Sequence, residues 1–382
     1  MNSHHRFPWR DGNRYQLLVD GEHFFPAMLD AIRKASSHVL LEFYLFESGV
    51  IAERFIAALL EARTRGVQVY LLLDDFGAMK LVRHDRQRLV ESGVQLSFYN
   101  PLHYGQLRRN LFRDHRKLLL ADGTIAFIGG AGITDQFATL PEQSPPWHET
   151  MVRISGPCVA DWQEVFEQNW NNWASPVVAL PAPHPHPQPG GTPGRVTLNS
   201  PSRMEIKRSL LKRIRTAEQR IWISTAYFIP SFKLRRALRH AVVNGADVRL
   251  LLPGEHTDHP AVRHASRRYY NYLLNHGIRI YEYQPRFLHA KIILCDGWVS
   301  TGSSNIDRWN LRWNLEANQE IDDENFSRQI EELFLADFLQ SKEILPQEWQ
   351  RRTWPHLLRE WFWGKIELWL ERFGHFSDRF KG

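Results

Sequence analysis

The sequence has few cysteines and no long uncharged apolar run. Only two cysteines occur among its 382 residues, Cys158 and Cys295, and each lies in an apolar stretch. Two such residues do not make a disulfide framework, so we expect buried thiols in a reducing compartment. Nowhere do about 18 uncharged apolar residues run together, as a membrane-spanning helix requires, and the first ten residues lack the apolar core of a secretory signal. These absences predict a soluble or peripheral protein.

Composition then limits the class of protein. Hydrophobic residues make up 43% of the chain and charged residues 24%, which is typical of a globular protein long enough for two domains. The net charge of +6 and the isoelectric point near 9.3 favour anionic partners, either nucleic acid or a membrane surface rich in acidic lipid. Composition does not distinguish the two.

One proline-rich segment divides the chain. Between Pro181 and Gly194 the sequence reads PAPHPHPQPGGTPG, in which the prolines remove the backbone donors that helices and sheets need. We therefore predict a first half over residues 1–180, a linker over 181–195, a second half over 196–345 and an aromatic, basic tail over 346–382.

The same order of elements is predicted on both sides of this linker, which indicates an internal repeat. Each half has a helix, an apolar strand, a second helix closed by glycine and another strand. The predicted elements are a helix at 25–36, a strand at 39–46, a helix ending at Arg65 and Gly66, and a strand at 67–73, matched by 204–216, 221–228, 233–244 with Gly245, and 247–252. This alternation predicts an α/β fold of two pseudo-symmetric halves, each a mostly parallel sheet flanked by helices.

Each half also contains the pattern His-x-Lys-x-x-x-x-Asp. The two sets are His115, Lys117 and Asp122, and His289, Lys291 and Asp296. Residues two apart on a strand point to the same face, so each histidine is expected to lie beside its lysine. If the halves pack as symmetric partners, two imidazoles and two ammonium groups converge on one pocket.

Such a group of side chains suits a phosphodiester. The lysines offer positive charge to the non-bridging oxygens, one imidazole attacks phosphorus and the other protonates the departing alcohol. The two histidines then need different protonation states, which their surroundings must impose. Since the lysines already supply the charge and no cluster of metal-ligating residues accompanies the motifs, we expect no metal and no cofactor.

The motif aspartates have two interpretations. Asp122 and Asp296 are candidate catalytic residues by their place in the motif. Each also lies at a predicted strand end before a glycine, where an aspartate commonly shapes a turn or pairs with a lysine.

The motifs and the segments around them resemble the phospholipase D superfamily, and specifically the bacterial cardiolipin synthases. The resemblance covers most of the chain. Beyond the motifs, it rests on four segments: EFYLF at 42–46, AYFIP at 226–230, GSSN at 302–305 and RWNLRWNLEANQEI at 308–321.

The resemblance implies roles for individual residues. One histidine becomes phosphatidylated and the other acts as general acid, which by position assigns the nucleophile to His115 and the acid to His289, with the reverse assignment open. An acidic residue downstream of each motif orients the histidine of that motif, here Glu149 and Glu316; the alternative is that these are ordinary surface or salt-bridged glutamates. Ser303 and Asn305 match residues that hold phosphate.

The first half departs from the family pattern. Where the superfamily often has Gly-Ser-x-Asn, this chain has Gly129, Gly130, Ala131 and Gly132. The polar side chains present in the second half are therefore missing from the first. The first motif is also one residue further from its glycine than the second.

The partner is predicted from the tail and from the resemblance. Between Trp349 and Lys381, five tryptophans alternate with basic residues, a mixture typical of the bilayer interface; the alternative is an aromatic stripe packed on the protein body. We expect a peripheral enzyme on the cytoplasmic side of the bacterial inner membrane that binds anionic phospholipid and has no obligate nucleic-acid partner. The resemblance implies transfer of a phosphatidyl group between phosphatidylglycerol molecules with release of glycerol. A phospholipase D hydrolase, a metal-independent endonuclease and a catalytically silent lipid-binding protein remain alternatives.

Overall fold

A computed structural model gives the fold of most of the chain. It describes residues 5–103, 105, 109–141, 144–175, 177, 178, 180, 183, 185–307 and 313–351. No helix in these ranges is long and apolar enough to cross a membrane. Most of the predicted membrane-facing tail, residues 352–382, lies outside the described residues, as does part of the predicted linker.

Both halves have the same order of elements. The strands of the first half are β1 (Arg10–Val19), β2 (His38–Phe43), β3 (Gln68–Asp74), β4 (Gln95–Tyr99), β5 (Lys117–Ala121), β6 (Ile125–Gly129) and β7 (Thr150–Ser155). Its helices are α1 (Gly21–Lys34), α2 (Val50–Thr64), α3 (Arg83–Glu91) and α4 (Cys158–Trp173), with 3-10 turns at Arg109–Leu111 and Asp135–Phe137.

In the second half the strands are β8 (Thr192–Ser200), β9 (Arg203–Met204), β10 (Arg220–Ser224), β11 (Asp247–Pro253), β12 (Arg279–Tyr283), β13 (Ile292–Cys295), β14 (Trp298–Gly302), β15 (Glu316–Asp322) and β16 (Ser341–Glu343). Its helices are α5 (Glu205–Thr216), α6 (Phe232–Val243), α7 (Pro260–Arg267), α8 (Tyr270–Leu274), α9 (Glu324–Leu339) and α10 (Pro346–Gln350). The predicted repeat is therefore confirmed. Gly66 and Gly245 follow α2 and α6 in the left-handed conformation, with φ of +86° and +95°, which glycine adopts without a steric penalty.

The sheets are mixed, which corrects one part of the fold prediction. Parallel pairing is confined to β2, β3 and β4 in the first half and to β10, β11 and β12 in the second. Strands β5, β6 and β7 and their counterparts β13, β14 and β15 pair antiparallel. The reason is that short turns, and not helices, join β5 to β6 and β13 to β14, and a short turn reverses the chain.

Two strands that the sequence analysis did not identify join the halves. β1 pairs with β7 on one side and with β8 on the other, so the sheets of both halves meet at this seam. β8 starts at Thr192, inside the predicted linker. Proline and glycine are uncommon within strands, so the composition of this segment does not predict one. The partners that place β8 in the main sheet, β1 and β15, are distant in sequence.

The buried apolar residues form three clusters. One lies under α1 and α2 in the first half and another under α5 and α6 in the second. The third is shared and contains α4 together with α9. Across it, Nε1 of Trp162 donates to the side chain of Gln319 at 2.8 Å, and the rings of Tyr15 and Phe326 lie 5.9 Å apart. The halves therefore share one core.

The first tryptophan of the predicted tail belongs to the protein body. Trp349 lies in α10, is only 4% exposed and packs 4.9 Å from the ring of Tyr270. The guanidinium of Arg267 stacks over it at 5.0 Å. For Trp349 the membrane prediction is wrong, because the second-half core already covers the indole.

Replacing this indole is expected to destabilise the fold. Trp349→Ala should lower the free energy of unfolding by about 3–5 kcal/mol, since it opens a large cavity. Leu339, which is 89% exposed, provides the control: Leu339→Ala should change stability by less than about 0.5 kcal/mol. Urea unfolding of both variants tests this, and equal unfolding midpoints would contradict the buried position of Trp349.

Candidate active site

The first motif lies where β5 begins. Lys117 opens β5 and pairs with Phe43, the last residue of β2. The motif therefore sits at the C-terminal edge of the parallel strands, where α/β sheets tend to place ligands. His115 precedes the strand, which corrects the prediction that both residues lie on it. The two stay together because Nζ of Lys117 donates to the carbonyl oxygen of His115 at 2.6 Å.

The second motif occupies the matching position before β13. Ile292, the residue after Lys291, pairs with Ser224 at the end of β10. Nζ of Lys291 lies 3.0 Å from Nδ1 and 3.3 Å from Nε2 of His289. In this motif the lysine and the histidine face the same space, as predicted.

Backbone hydrogen bonds tie each motif to the other half. The amide of His115 donates to the carbonyl oxygen of Leu315 at 3.0 Å, and the amide of Leu315 donates back to Arg113 at 2.9 Å. Likewise, the amide of His289 donates to the carbonyl oxygen of His148 at 2.8 Å. Both acceptors immediately precede one of the predicted glutamates, so the motif of one half and the glutamate of the other are brought together.

The imidazole of His115 is held by a carboxylate of the second half. Its Nδ1 lies 2.9 Å from Oε1 and 3.2 Å from Oε2 of Glu316. Tyr44 contacts the ring edge-on, with 4.9 Å between centroids. The side chain of His115 is 12% exposed while that of Glu316 is fully buried. The imidazole therefore keeps slight contact with solvent, whereas its carboxylate partner has none.

The imidazole of His289 is held by a carboxylate of the first half. Its Nδ1 lies 2.5 Å from Oε2 of Glu149, and the Nζ of Lys291 lies 3.3 Å from the same oxygen. The rings of Trp147 and Phe137 pack on His289 at 5.2 and 5.5 Å. Three side chains of the first half thus fix a histidine of the second.

The pairing of histidines with glutamates corrects the prediction drawn from the resemblance. Each glutamate was expected to orient the histidine of its own motif. Instead Glu149 binds His289, and Glu316 binds His115. Both residues do contact a motif histidine, so the alternative of an ordinary surface glutamate is wrong.

Burial and mutual repulsion shift the protonation of the four basic groups. Burial, reinforced by the two lysines, lowers the pKa of His115 well below its ordinary value. Burial and Lys291 lower the pKa of His289 to about 4. Burial also lowers the pKa of Lys117 to about 7 and depresses that of Lys291. Lys291 lowers the pKa of Lys117 as well as those of both histidines, so the two motifs share one electrostatic environment.

The two carboxyl groups, of Glu316 and Glu149, differ in the direction of their pKa shift. Burial raises the pKa of Glu316 to about 8 despite Lys117 and the hydroxyl of Ser303. Burial alone would also raise the pKa of Glu149, but Lys291, His289 and the Thr150 amide bring it below its ordinary value. Glu149 is therefore ionised at neutral pH, whereas Glu316 holds a proton more readily.

Comparison with known proteins identifies the family. Residues 28–170 and 210–338 match the family model described as cardiolipin synthase, PLD-like domain. Cardiolipin synthase A of Pseudomonas putida is 35% identical over 351 residues, which cover 90% of this chain and 72% of that one. A probable cardiolipin synthase of Bacillus subtilis is 32% identical over 342 residues, covering 88% of this chain and 68% of its own.

The chain belongs to the cardiolipin synthase family of phospholipase D-like proteins. It is a phosphatidyltransferase of the phospholipase D type that acts on phospholipids. The predicted family, class of enzyme and α/β fold in two halves are thereby confirmed.

Solved structures agree on the fold. Phosphatidylserine synthase of Haemophilus influenzae is similar with a TM-score of 0.72 over 95% of this chain and 96% of that one, at 13% identity. Polyphosphate kinase of Porphyromonas gingivalis gives a TM-score of 0.59 at 15% identity, over 87% of this chain and 49% of that one.

The glycine segment that departs from the family pattern lies against Glu149. Gly130 and Ser303 are the residues directly after β6 and β14. Ser303 donates its hydroxyl to Glu316, whereas a Cβ at Gly130 would lie 2.1 Å from Oε2 of Glu149. Glycine is therefore required for Glu149 to occupy this place. The extra residue of the first motif lies in the β5–β6 turn, at the opposite edge of the sheet.

Asn305 is fully buried at the second-half side of the site. Its Oδ1 accepts from the hydroxyl of Thr225 at 3.3 Å, while its Nδ2 has no hydrogen-bond partner among the residues that the structure describes. Since Ser303 is engaged with Glu316, Asn305 is the better placed of the two predicted phosphate ligands to donate a hydrogen bond. Phosphate binding by either residue stays a prediction.

The motif aspartates belong to turns, so their assignment as catalytic residues is wrong. Asp122 lies at the end of β5 opposite Lys117 and has φ of +52°. Its carboxylate accepts from the amides of Ser36, Ser37 and His38 at 2.8–3.0 Å. The carboxylate of Asp296, with φ of +50°, accepts from three consecutive amides at the start of β10 in the same way. Each aspartate fastens the start of the neighbouring strand.

His148 contributes to the site but was missed by the sequence analysis. It lies between Asp20 and Asp337, with ring nitrogens 2.9 and 3.2 Å from their carboxylates. Burial would lower its pKa, but these carboxylates raise it to about 9. A charged imidazolium thus joins the two halves directly beside Glu149. The only signal in the sequence is its position next to that glutamate.

The prediction that no metal takes part stays a prediction. No group of three or more His, Cys, Asp and Glu side chains with the geometry of a metal site occurs among the residues that the structure describes.

Removing the Asp122 carboxylate is expected to destabilise the first half. Asp122→Ala leaves three backbone amides without their acceptor and should lower the free energy of unfolding by about 1–3 kcal/mol. Hydrogen bonds from those amides keep the pKa of Asp122 below its ordinary value, although burial opposes them. The carboxylate therefore stabilises the fold at neutral pH, and this contribution disappears as the pH falls below about 4.

Chemical denaturation at pH 7 and pH 3 measures both effects, with Asp122→Asn as the control that keeps a side-chain oxygen and tolerates positive φ. Turnover of the folded Asp122→Ala enzyme should be retained. Loss of turnover in a variant of unchanged stability would return this residue to the catalytic set.

Proposed function

We propose that the enzyme joins two phospholipids through a phosphohistidine intermediate. The donor is phosphatidylglycerol, the acceptor is a hydroxyl of a second phosphatidylglycerol, and the products are cardiolipin and glycerol. The observation that carries this proposal is the crossed arrangement of two histidine–glutamate pairs around two lysines. It brings together two imidazoles and the cationic groups that a phosphodiester requires.

His115 is the proposed nucleophile. Its own pKa lies well below the ordinary value, so the imidazole is neutral, and when Nδ1–H donates to the ionised form of Glu316, Nε2 presents a lone pair to the substrate. His289 is the proposed acid because Glu149, 2.5 Å from its Nδ1, is ionised and stabilises the imidazolium. In the free enzyme the pKa of His289 is about 4; a bound anionic phosphate would raise the pKa of both rings, and the ionised Glu149 then favours proton uptake by His289.

The two steps balance in atoms and protons. Nε2 of His115 forms a bond to phosphorus while the bond from phosphorus to the glycerol oxygen breaks, and His289 gives that oxygen its proton. Neutral His289 then takes the proton of the acceptor hydroxyl, the acceptor oxygen bonds to phosphorus, and the phosphorus–nitrogen bond breaks. Lys117 and Lys291 neutralise the non-bridging oxygens in both steps.

We further propose that the enzyme works as a peripheral protein on the cytoplasmic side of the bacterial inner membrane. The net charge of +6 supports contact with acidic lipid. The tryptophans and basic residues beyond Trp349 support it as well.

Lipid mass spectrometry with purified protein and phosphatidylglycerol vesicles tests the proposal. Cardiolipin and glycerol should form in equal amounts, and the Ala variant of His115 should form neither. If phosphatidic acid is the only lipid product, water is the acceptor and the enzyme is a hydrolase. Cardiolipin formation by the His115 variant would refute the assigned chemistry.

A donor with a good leaving group separates the roles of the histidines. Phosphatidyl-p-nitrophenol needs no proton donor, so His289→Ala should release about one equivalent of p-nitrophenol per enzyme and accumulate a phosphohistidine adduct. His115→Ala should give no burst. Stopped-flow absorbance and intact-protein mass spectrometry measure both, and a burst in the His115 variant alone would reverse the assignment.

Substrate affinity is expected to weaken as the pH rises. Between pH 6 and pH 9, Lys117 (pKa about 7) loses a proton and Glu316 (pKa about 8) becomes ionised, so the site loses one positive charge and gains one negative charge. The KM for phosphatidylglycerol should therefore rise by about tenfold or more, with a shallower rise in Glu316→Gln, which keeps only the lysine titration. Steady-state kinetics across this range provides the check, and a KM that is independent of pH in the unmodified enzyme would contradict these charge states.

A further inference from the structure

Exposed apolar side chains gather around the mouth of the site. In the first half, Phe76, Met79, Leu102 and Leu111 are each between 40% and 61% exposed. Phe76 and Met79 follow β3, Leu102 follows β4, and Leu111 lies four residues before His115. Because β2, β3 and β4 are parallel, these loops share the edge of the sheet that carries the first motif. Single exposed apolar residues need no explanation, but a group of them does.

Direct contacts connect this group to the catalytic histidine. The Cα of Gly77, next to Phe76, packs so tightly on the backbone of Tyr44 that an added Cβ would lie 1.9 Å from the tyrosine carbonyl oxygen. Tyr44 in turn contacts the ring of His115 at 4.9 Å. The amide of Leu102 donates to Asp75 at 3.0 Å, which joins the two loops. The loops that carry Phe76, Met79 and Leu102 are therefore neighbours beside the site, and Leu111 precedes His115 at the same edge of the sheet.

The second half contributes to the same opening. Phe232, at the start of α6, is 63% exposed. It follows the segment after β10, in which the amide of Ile229 donates to the carbonyl oxygen of Ile306 at 2.8 Å, close to Ser303 and its neighbours. Two exposed cations flank these apolar residues, Arg83 in the first half and Lys233 in the second.

We propose that this rim, defined by Phe76, Met79, Leu102, Leu111 and Phe232, is the surface that inserts into the interface of an anionic phospholipid bilayer. The inference rests on the proposed function, since it concerns how lipid reaches that site. Apolar side chains enter the boundary between headgroups and acyl chains, and cations beside them meet lipid phosphates.

A bilayer fits this surface better than a second copy of the chain. A phosphatidyl group is held in the membrane by its acyl chains, so its phosphate reaches His115 only if the mouth of the site faces the headgroups. A protein partner seated on the rim would close the path of both lipids. The enzyme class therefore favours lipid as the occupant.

Site-directed fluorescence tests the insertion. The native cysteines are buried, so Met79→Cys can be labelled selectively with the probe NBD. With vesicles of phosphatidylglycerol and phosphatidylethanolamine, the NBD emission should shift to the blue and be quenched by doxyl-labelled lipid. Val90, 56% exposed at the far end of α3, supplies the matched control, and Val90→Cys should show neither change. Equal responses at both positions, or none at Met79 while the protein binds the vesicles, would overturn the proposal.

Kinetics then separates docking from chemistry. Phe76→Ser combined with Met79→Ser should lower turnover of vesicle substrate by about tenfold to a hundredfold. Its turnover of a monomeric short-chain phosphatidyl-p-nitrophenol should stay unchanged, and Val90→Ser combined with Val243→Ser should change neither activity. If the unmodified enzyme does not turn over the short-chain donor, the proposed chemistry fails. If the unmodified enzyme turns over the short-chain donor but the rim variant keeps full vesicle activity, the proposed docking surface is wrong. If the rim substitutions only convert a dimer to a monomer, the rim is a protein interface instead.

Discussion

The structure of the site depends on crossed pairing between two similar halves, in which the glutamate of each half holds the histidine of the other. Glu316 holds His115, and Glu149 holds His289, while each motif also bonds through its backbone to the residue before the opposite glutamate. Neither half alone contains an oriented histidine. The site is therefore only as rigid as the packing between the halves. The shared core of α4 and α9 and the His148 imidazolium between Asp20 and Asp337 supply that rigidity.

Much of this architecture follows from the sequence because its signals are local. Strands β2 and β10 are apolar runs, their helices end at glycines with positive φ, and the motif spacing repeats. The crossed pairing of histidines with glutamates has no local signal in the sequence. Which histidine Glu149 faces depends on how the halves pack, and no spacing within one half contains that information. The seam of β1 and β8 was missed for the same reason, since its partners are distant in the chain.

The two motif aspartates show that a residue within a catalytic motif can have a structural role. Asp122 and Asp296 have the motif spacing because each must accept from the amides before a neighbouring strand while its own backbone adopts positive φ. An aspartate meets both requirements, since its short side chain reaches adjacent amides and tolerates that conformation. The sequence pattern is the same whether the aspartate holds a turn or acts in catalysis. The position of each aspartate at a strand end also allowed a role in a turn, and the hydrogen bonds support that role.

Two identical motifs must perform different tasks, so the difference has to come from their surroundings. It arises around the two glutamates. Gly130 leaves room for Glu149 to approach His289 and Lys291, and these two residues together with the Thr150 amide keep the carboxylate ionised, which favours an imidazolium. Ser303 occupies the matching position and donates to Glu316, but burial still raises the pKa of that carboxyl and weakens its pull on the imidazole of His115. The two motifs thus lie in unequal surroundings, and inequality is what acid and nucleophile require.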